Sequence, residues 1–217
     1  MIRRVPSSAS IANPTRGAQL CAPSAERNRQ PICDLLARVA PDTGDALEIA
    51  SGTGQHVIAF AARLPGLTWQ PTDPDPSRRA SIDAYAAEAG LGNLLPARDL
   101  DAGVPGWGAG YGAQSLIVLV NLLHLISTGE ARTLITETAR ALVPGGHFVV
   151  YGPFMRGGEL TSDGDKRFHA SLRATDPEIG YKDDFDVLDW AQEAGLSPLE
   201  IIEMPANNMS IILQKPA

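Results

Sequence analysis

The chain alternates short continuous apolar runs with longer stretches in which apolar residues recur every three or four positions. The first kind reads as buried strands and the second as amphipathic helices. A helical pattern runs from about Ala25 to Val39 and is broken by Pro41-Asp42-Thr43-Gly44. Ala46 to Ile49 follows as a strand, and Gln55 to Arg63 as a helix. Leu67 to Gln70 is a second strand, Pro76 to Glu88 a third helix, and Leu94 to Ala97 a short strand. A Gly-rich loop, Gly103 to Gly112, carries Trp107 and Tyr111. Ser115 to Val120 reads as a fourth strand, and Ser127-Thr128-Gly129-Glu130 as a capping box opening a helix to Leu142. Pro144-Gly145-Gly146 turns the chain into a fifth strand, His147 to Tyr151. After a polar loop to about Asp165, helices are expected over Phe168 to Ala174 and Asp183 to Ala194, the second stopped by Gly195. Pro198 to Met204 and Met209 to Gln214 read as an antiparallel hairpin turning at Pro205-Ala206-Asn207-Asn208. Alternating strands and helices predict an α/β fold. It should be a doubly wound, mostly parallel, seven-stranded Rossmann-like sheet with right-handed crossovers, ending in that hairpin.

The strongest chemical signal sits between the first strand and its helix. Ala46-Leu47-Glu48-Ile49-Ala50-Ser51-Gly52-Thr53-Gly54-Gln55-His56 reads as a strand, a small-residue turn and a helix opening over a ligand. Gly52 and Gly54 let backbone approach a bound molecule closely. The helix start offers free N–H groups. Glu48 at the strand's end is an acceptor, which suits ribose hydroxyls or an ammonium and repels a phosphate. That chemistry favours a phosphate-free nucleoside such as S-adenosylmethionine (SAM). Asp73 follows the second strand about twenty residues past the turn, where such folds hold ribose hydroxyls. Asp75 with Pro76 reads as a helix N-cap and first helical residue. A nicotinamide-binding dehydrogenase fits poorly, because the turn lacks the spacing and pyrophosphate-friendly chemistry of G-x-G-x-x-G.

Composition narrows the classes. With 217 residues, 44% hydrophobic and 20% charged, the chain is long enough for a substantial core and reads as soluble. A net charge of −7 gives no reason to expect a nucleic-acid partner. No apolar run reaches membrane-spanning length, so no membrane partner is expected. Two cysteines, Cys21 and Cys33, make no disulfide framework, and Cys33 in a helical pattern reads as a buried thiol. The four histidines fall in no metal-ligand spacing, so no metal is expected. Residues 1–23 hold Arg3, Arg4 and Arg16 among Ser, Ala and Pro, with no acid. They read as a flexible tail or a lid, with residues 24–217 as the ligand-binding domain. A cytoplasmic monomer or homodimer is the default expectation.

Several segments carry a resemblance. Ser24-Ala25-Glu26-Arg27-Asn28, Leu47 to His56, Trp69-Gln70-Pro71-Thr72-Asp73, Tyr151-Gly152-Pro153-Phe154 and Met204-Pro205-Ala206-Asn207-Asn208 together resemble the methyltransferase-like protein 26 family. The resemblance spans about residues 23 to 217 and implies a class I SAM-dependent methyltransferase fold, with SAM as cofactor. One departure is notable. After the fourth strand the family usually reads Asn-Met-Ile-His-Ile-Ser-Pro-Trp, and this chain reads Asn121-Leu122-Leu123-His124-Leu125-Ile126-Ser127-Thr128. Asn121 and His124 are retained, and the Pro-Trp that would wall the pocket is replaced.

By similarity, Gly52 and Gly54 line the methionine portion, beside Glu48 and Ala50. Asp73 accepts from the ribose, Asp99 or Leu100 flanks the adenine, and the Asn121 carbonyl meets the methionine ammonium. Arg27 could pair with the methionine carboxylate or with a substrate acid, the alternative being a solvated helix residue. His124 and Tyr151, with Asn121, are the catalytic candidates. Asn28, Phe154, Asn207 and Asn208 are the substrate-facing ones, although the two asparagines could instead only form the hairpin turn.

The leading expectation is a methyltransferase acting on a small molecule. A second is an enzyme that cyclises SAM itself, its α-amine attacking the γ-carbon to give azetidine-2-carboxylic acid and methylthioadenosine. A third is a protein that binds SAM without turnover.

Overall fold

A computed structural model describes residue 6 and residues 9–217. Arg3 and Arg4 lie outside the described residues. The chain opens with two short strands, β1 (Asn13–Pro14) and β2 (Leu20–Cys21), which pair antiparallel. Helix α1 (Pro23–Val39) leads into β3 (Gly44–Ile49), α2 (Gln55–Arg63), β4 (Leu67–Pro71) and α3 (Pro76–Ala89). Then follow β5 (Gln114–Val120), α4 (Thr128–Ala141), β6 (Leu142–Gly152), α5 (Asp163–Thr175), α6 (Asp184–Glu193), β7 (Ser197–Met204) and β8 (Asn208–Gln214).

The strands of the main sheet lie in the order β4-β3-β5-β6-β8-β7. The pairs from β4 to β6 are parallel, and β8 runs antiparallel between β6 and β7. This is the doubly wound sheet with a terminal hairpin that the periodicity predicts. Strand order reverses between β3 and β5, because the chain leaves β3 toward β4 on one side and returns to β5 on the other. Such a reversal opens a crevice at the carboxyl ends of the strands.

The sheet is covered on both faces. On one, Ile32, Leu36, Val57, Phe60 and Ile82 from α1, α2 and α3 pack with Ala46, Trp69, Leu116 and Val118. On the other, Leu134, Ile135, Val187 and Trp190 from α4 and α6 pack with Leu47, Ile49, Ile117 and Leu119. β5 therefore carries the unbroken apolar run Leu116 to Val120, since it has a helical layer above and below it, while β3 is apolar only at Ala46, Leu47 and Ile49. Cys33 is a buried free thiol. Caps follow the sequence: Asp75 accepts from Ser77 N at 2.8 Å, and Ser127 and Glu130 form the reciprocal capping box.

Two expectations need correction. The strand at Leu94 to Ala97 is not a ladder strand. Residues 93–98 run beside β4 with isolated bridges at Trp69↔Leu94 and Thr72↔Arg98. Pro96 has no N–H, so the ladder is interrupted and the sheet has six regular strands with an irregular seventh at its edge. The helix expected from Phe168 begins at Asp163, because Ser162 caps it and accepts from Asp165 N at 3.1 Å. Between β5 and α4, Leu123–Leu125 form a short 3-10 turn.

Residues 9–22 lie along the helical face. Leu20 N donates to Ser81 Oγ at 2.8 Å, Gln19 to Glu88 at 2.6 Å and Ala22 N to Gln55 Oε1 at 2.6 Å. Among the described residues, no helix is long and apolar enough to cross a membrane.

Gly54 fixes how closely the start of α2 meets α3. Its φ is +91°, and a Cβ there would stand 2.9 Å from Ile82 Cα. Gly54→Ala is expected to lower stability by roughly 2–4 kcal/mol, from strain and overpacking together, in urea unfolding. Gly92, where a Cβ meets nothing within 4 Å, is the control. Its alanine variant should stay within about 0.5 kcal/mol of wild type.

Candidate active site

A cavity of about 400 Å³ opens at the carboxyl ends of β3, β4 and β5, in the size range of small-ligand sites. Its floor is the turn after β3. Ser51 N donates to Thr72 O at 2.7 Å, and Thr72 N and Oγ1 return to Glu48 O at 3.0 and 2.8 Å. The Asp73 carboxylate then ties the turn to β4. Its Oδ2 accepts from Gly52 N at 3.0 Å, and its Oδ1 from Asp75 N at 2.9 Å. Each carboxylate oxygen has a second lone pair, so Asp73 keeps capacity for ligand hydroxyls.

Two strand ends carry unusual backbone. Ala50 after β3 and Asn121 after β5 both have positive φ, 53° and 56°, on the two sides of the crevice. Asparagine tolerates this conformation. Alanine does so at a cost of about 1 kcal/mol, a kind of strain that clusters at ligand sites. Asn121 is held there by its N–H donating to Tyr151 O at 2.8 Å.

The charged lining is lopsided. Among the described residues, Asp73, Asp75, Asp101 and Glu130 line the cavity with a single guanidinium, that of Arg78, which lies 3.9 Å from Asp75. Such a lining suits hydroxyl donors or a positive charge and opposes a pyrophosphate. Arg78 donates to Ser10 Oγ at 2.5 Å, so residues 9–11 form the outer wall over the glycine turn. Beneath the turn, Glu48 is 1% exposed and one of its oxygens has no hydrogen-bond partner. Burial lifts its pKa to about 8, helped by the charge of Asp73. Burial also raises the pKa of Asp73, against backbone N–H bonds that lower it.

The structure gathers only part of the expected set. Ala50, Gly52, Asp73, Leu100 and Asn121 line the cavity. Gly54 and Glu48 lie beneath the turn and are not among the lining residues. Asp99 points outward, its side chain 71% exposed and 3.5 Å from Arg79, and Asp101 is the lining acid of that pair. Arg27 is exposed on α1, away from the lining. His124 is 4% exposed and packs edge-on to Phe168 and Tyr181 outside the cavity. Burial and the nearby Lys182 ammonium hold its pKa down to about 3. Tyr151 and Phe154 are buried in opposite halves of the core. The Tyr151 hydroxyl has no partner in hydrogen-bond geometry, though the amide of Asn28 lies near enough to temper its raised pKa. Asn207 donates to Thr161 Oγ1 at 2.7 Å and to Asp165 at 2.5 Å, tying the hairpin to α5. Asn208 closes the turn on Pro205 O at 3.0 Å.

Residues that sequence reasoning passed over complete the wall: Ser10, His56, Arg78 and Glu130. His56 had a readable signal, directly after the glycine turn. Arg78 had a weaker one: a long side chain in the first turn of α3 points back toward the helix start and so toward the crevice.

A family profile described as "Protein of unknown function (DUF938)" matches residues 19–215. Among solved structures, an O-methyltransferase family protein from Burkholderia thailandensis superposes with a TM-score of 0.76 at 19% identity, covering 89% of this chain and 58% of that one. A putative O-methyltransferase from Nostoc punctiforme gives 0.76 at 20% identity, over 88% and 56%. Human N-acetylserotonin methyltransferase in complex with SAM gives 0.71 at 14% identity, over 89% and 53%. The chain thus spans little more than half the length of these structures, and the likeness is one of fold.

The buried Glu48 makes stability depend on pH. Its folded pKa lies above the unfolded value, so the native state binds the extra proton and stability falls as pH rises through about 8. Glu48→Gln is expected to be more stable than wild type by a few kcal/mol at pH 9, in urea unfolding, with the gap closing toward pH ~4.5. A pH-independent gap would contradict a neutral Glu48.

Proposed function

We propose that this chain, which belongs to the DUF938 family of proteins of unknown function, binds SAM in the crevice between β3 and β5 and transfers its methyl group to a small molecule. The observation that carries the reading is the acid-lined crevice at the strand-order reversal, with a glycine turn below it and positive-φ residues on both sides. The residues fit the cofactor chemically. Asp73 offers carboxylate lone pairs for ribose hydroxyls, and Leu100 an apolar surface for adenine. Ala50 and Asn121 turn backbone toward the amino-acid end. The surplus of carboxylates suits a sulfonium and an ammonium. Bound there, SAM supplies a methyl group already activated on sulfur, so the protein's task is to align the acceptor and exclude water. Residues 9–11 and 22 of the outer wall serve that exclusion. The solved O-methyltransferase neighbours, and the finer resemblance to the methyltransferase-like protein 26 family, support the same reading.

The cyclisation reading draws less support. It needs aromatic rings around the sulfonium, and the described residues lining the cavity include no Phe, Tyr or Trp.

The test is to incubate the protein with SAM, alone and with a panel of phenols, carboxylic acids and amines, and to identify products by mass spectrometry. S-adenosylhomocysteine formed only with an acceptor is the expected result. Methylthioadenosine from SAM alone would replace methyl transfer with cyclisation. Asp73→Ala should weaken SAM binding at least about tenfold by calorimetry, some 1.4 kcal/mol. Unchanged affinity would overturn the assignment of the ribose to Asp73.

A further inference from the structure

The four histidines have distinct surroundings. His147 Nδ1 lies 2.7 Å from Val39 O, His169 Nδ1 accepts from Tyr181 N at 3.1 Å, and His124 is enclosed by Phe168 and Tyr181. His56 is the one that lines the cavity, whose wall also includes Thr53, Ala22, Ser24 and Ala25.

Its ring is fixed from two sides. It stacks on Phe60 at 5.7 Å between centroids with 17° between planes, and its Nε2 is 2.8 Å from Asn28 Oδ1. An amide oxygen only accepts, so Nε2 carries the proton and the lone pair sits on Nδ1. Burial, reinforced by the Arg29 guanidinium, holds the pKa to about 4, which keeps the imidazole neutral and able to accept at physiological pH. Asn28 is itself buried, and its amide also lies near the buried Tyr151 hydroxyl, so it is set in a buried polar corner and not in solvent.

We propose that His56 is a catalytic residue of this site, its Nδ1 taking the proton of an alcohol or phenol acceptor, and that Asn28 is the positioning residue that fixes the tautomer. The inference rests on the methyl-transfer reading above and names the acceptor class. The acceptor oxygen forms a bond to the methyl carbon, and the electron pair of the carbon–sulfur bond passes to sulfur, leaving a neutral thioether. The hydroxyl proton passes to Nδ1, and the imidazolium returns it to water. A weakly basic imidazole suffices, because a hydroxyl becomes far more acidic as its oxygen bonds to carbon.

The test is nitrogen NMR of the full chain labelled at histidine, with His56→Gln assigning the signals. His56 should show a neutral imidazole protonated at Nε2 between pH 6 and 8. Its Nδ1 resonance should move when S-adenosylhomocysteine and catechol are added together. Asn28→Ala should lose the single tautomer. A proton on Nδ1 in the wild type, or an Nδ1 that ignores both probes, would overturn the proposal. With a phenol that the wild type methylates, His56→Gln should lower kcat about 100-fold or more with little change in the KM for SAM, and raising the pH should restore part of the rate. Equal turnover in the two proteins would remove His56 while leaving the methyl-transfer reading intact. Failure of the wild type to bind SAM by calorimetry would remove that reading itself.

Discussion

The site depends on one carboxylate. Asp73 accepts from the N–H of Gly52 and from that of Asp75. It thereby joins the turn after β3 to the start of α3, across two strands that are neighbours in the sheet. That tie fixes the Gly52 end of the turn. The Ser51–Thr72–Glu48 backbone bonds beneath it repeat the connection. The same carboxylate lines the cavity, so the group that organises the turn is also the one to which the proposed function assigns the ribose. Its burial raises its pKa while the two N–H groups lower it. Opposed influences of this kind are common where a charged group is held ready for a ligand.

Local backbone follows from that geometry. Ala50 and Asn121 end the two strands on either side of the reversal, and both adopt the left-handed region. Gly54 then lets α2 start against Ile82 without a clash. Each feature costs some stability alone, and the packed three-layer core that supports the sheet offsets it. The outcome is a crevice whose walls come from strand ends, the starts of α1 to α4 and the chain segment 9–11, with a strongly acidic lining.

Much of this was legible in the sequence because it is local. Alternating periods marked the strands and helices. Ser127-Thr128-Gly129-Glu130 marked a capping box, Asp75-Pro76 a helix start and Pro205 to Asn208 a hairpin turn. Ala50, Gly52, Asp73, Leu100 and Asn121 reach the cavity because strand ends and their turns face the crevice in any sheet of this winding. What resisted reading depends on packing at long range. Pro96 turned an expected strand into an irregular edge. His124 and His56 both follow strand ends, and only the tertiary fold decides that the first meets Phe168 and Tyr181 and the second the cavity. The bond from Arg78 to Ser10 spans most of the N-terminal third of the chain, and no local pattern announces it. Asn207 was drawn to Asp165 of α5 by the hairpin's position, which the turn sequence does not specify.

The central claim is that the crevice between β3 and β5 is a SAM site organised by Asp73. A diffraction structure of the protein grown with S-adenosylhomocysteine tests it most directly. The account predicts ligand density in the crevice, with the ribose hydroxyls on Asp73, adenine beside Leu100 and the amino-acid end between Ala50 and Asn121. Ligand bound elsewhere, or an adenosine whose ribose does not contact Asp73, would contradict it.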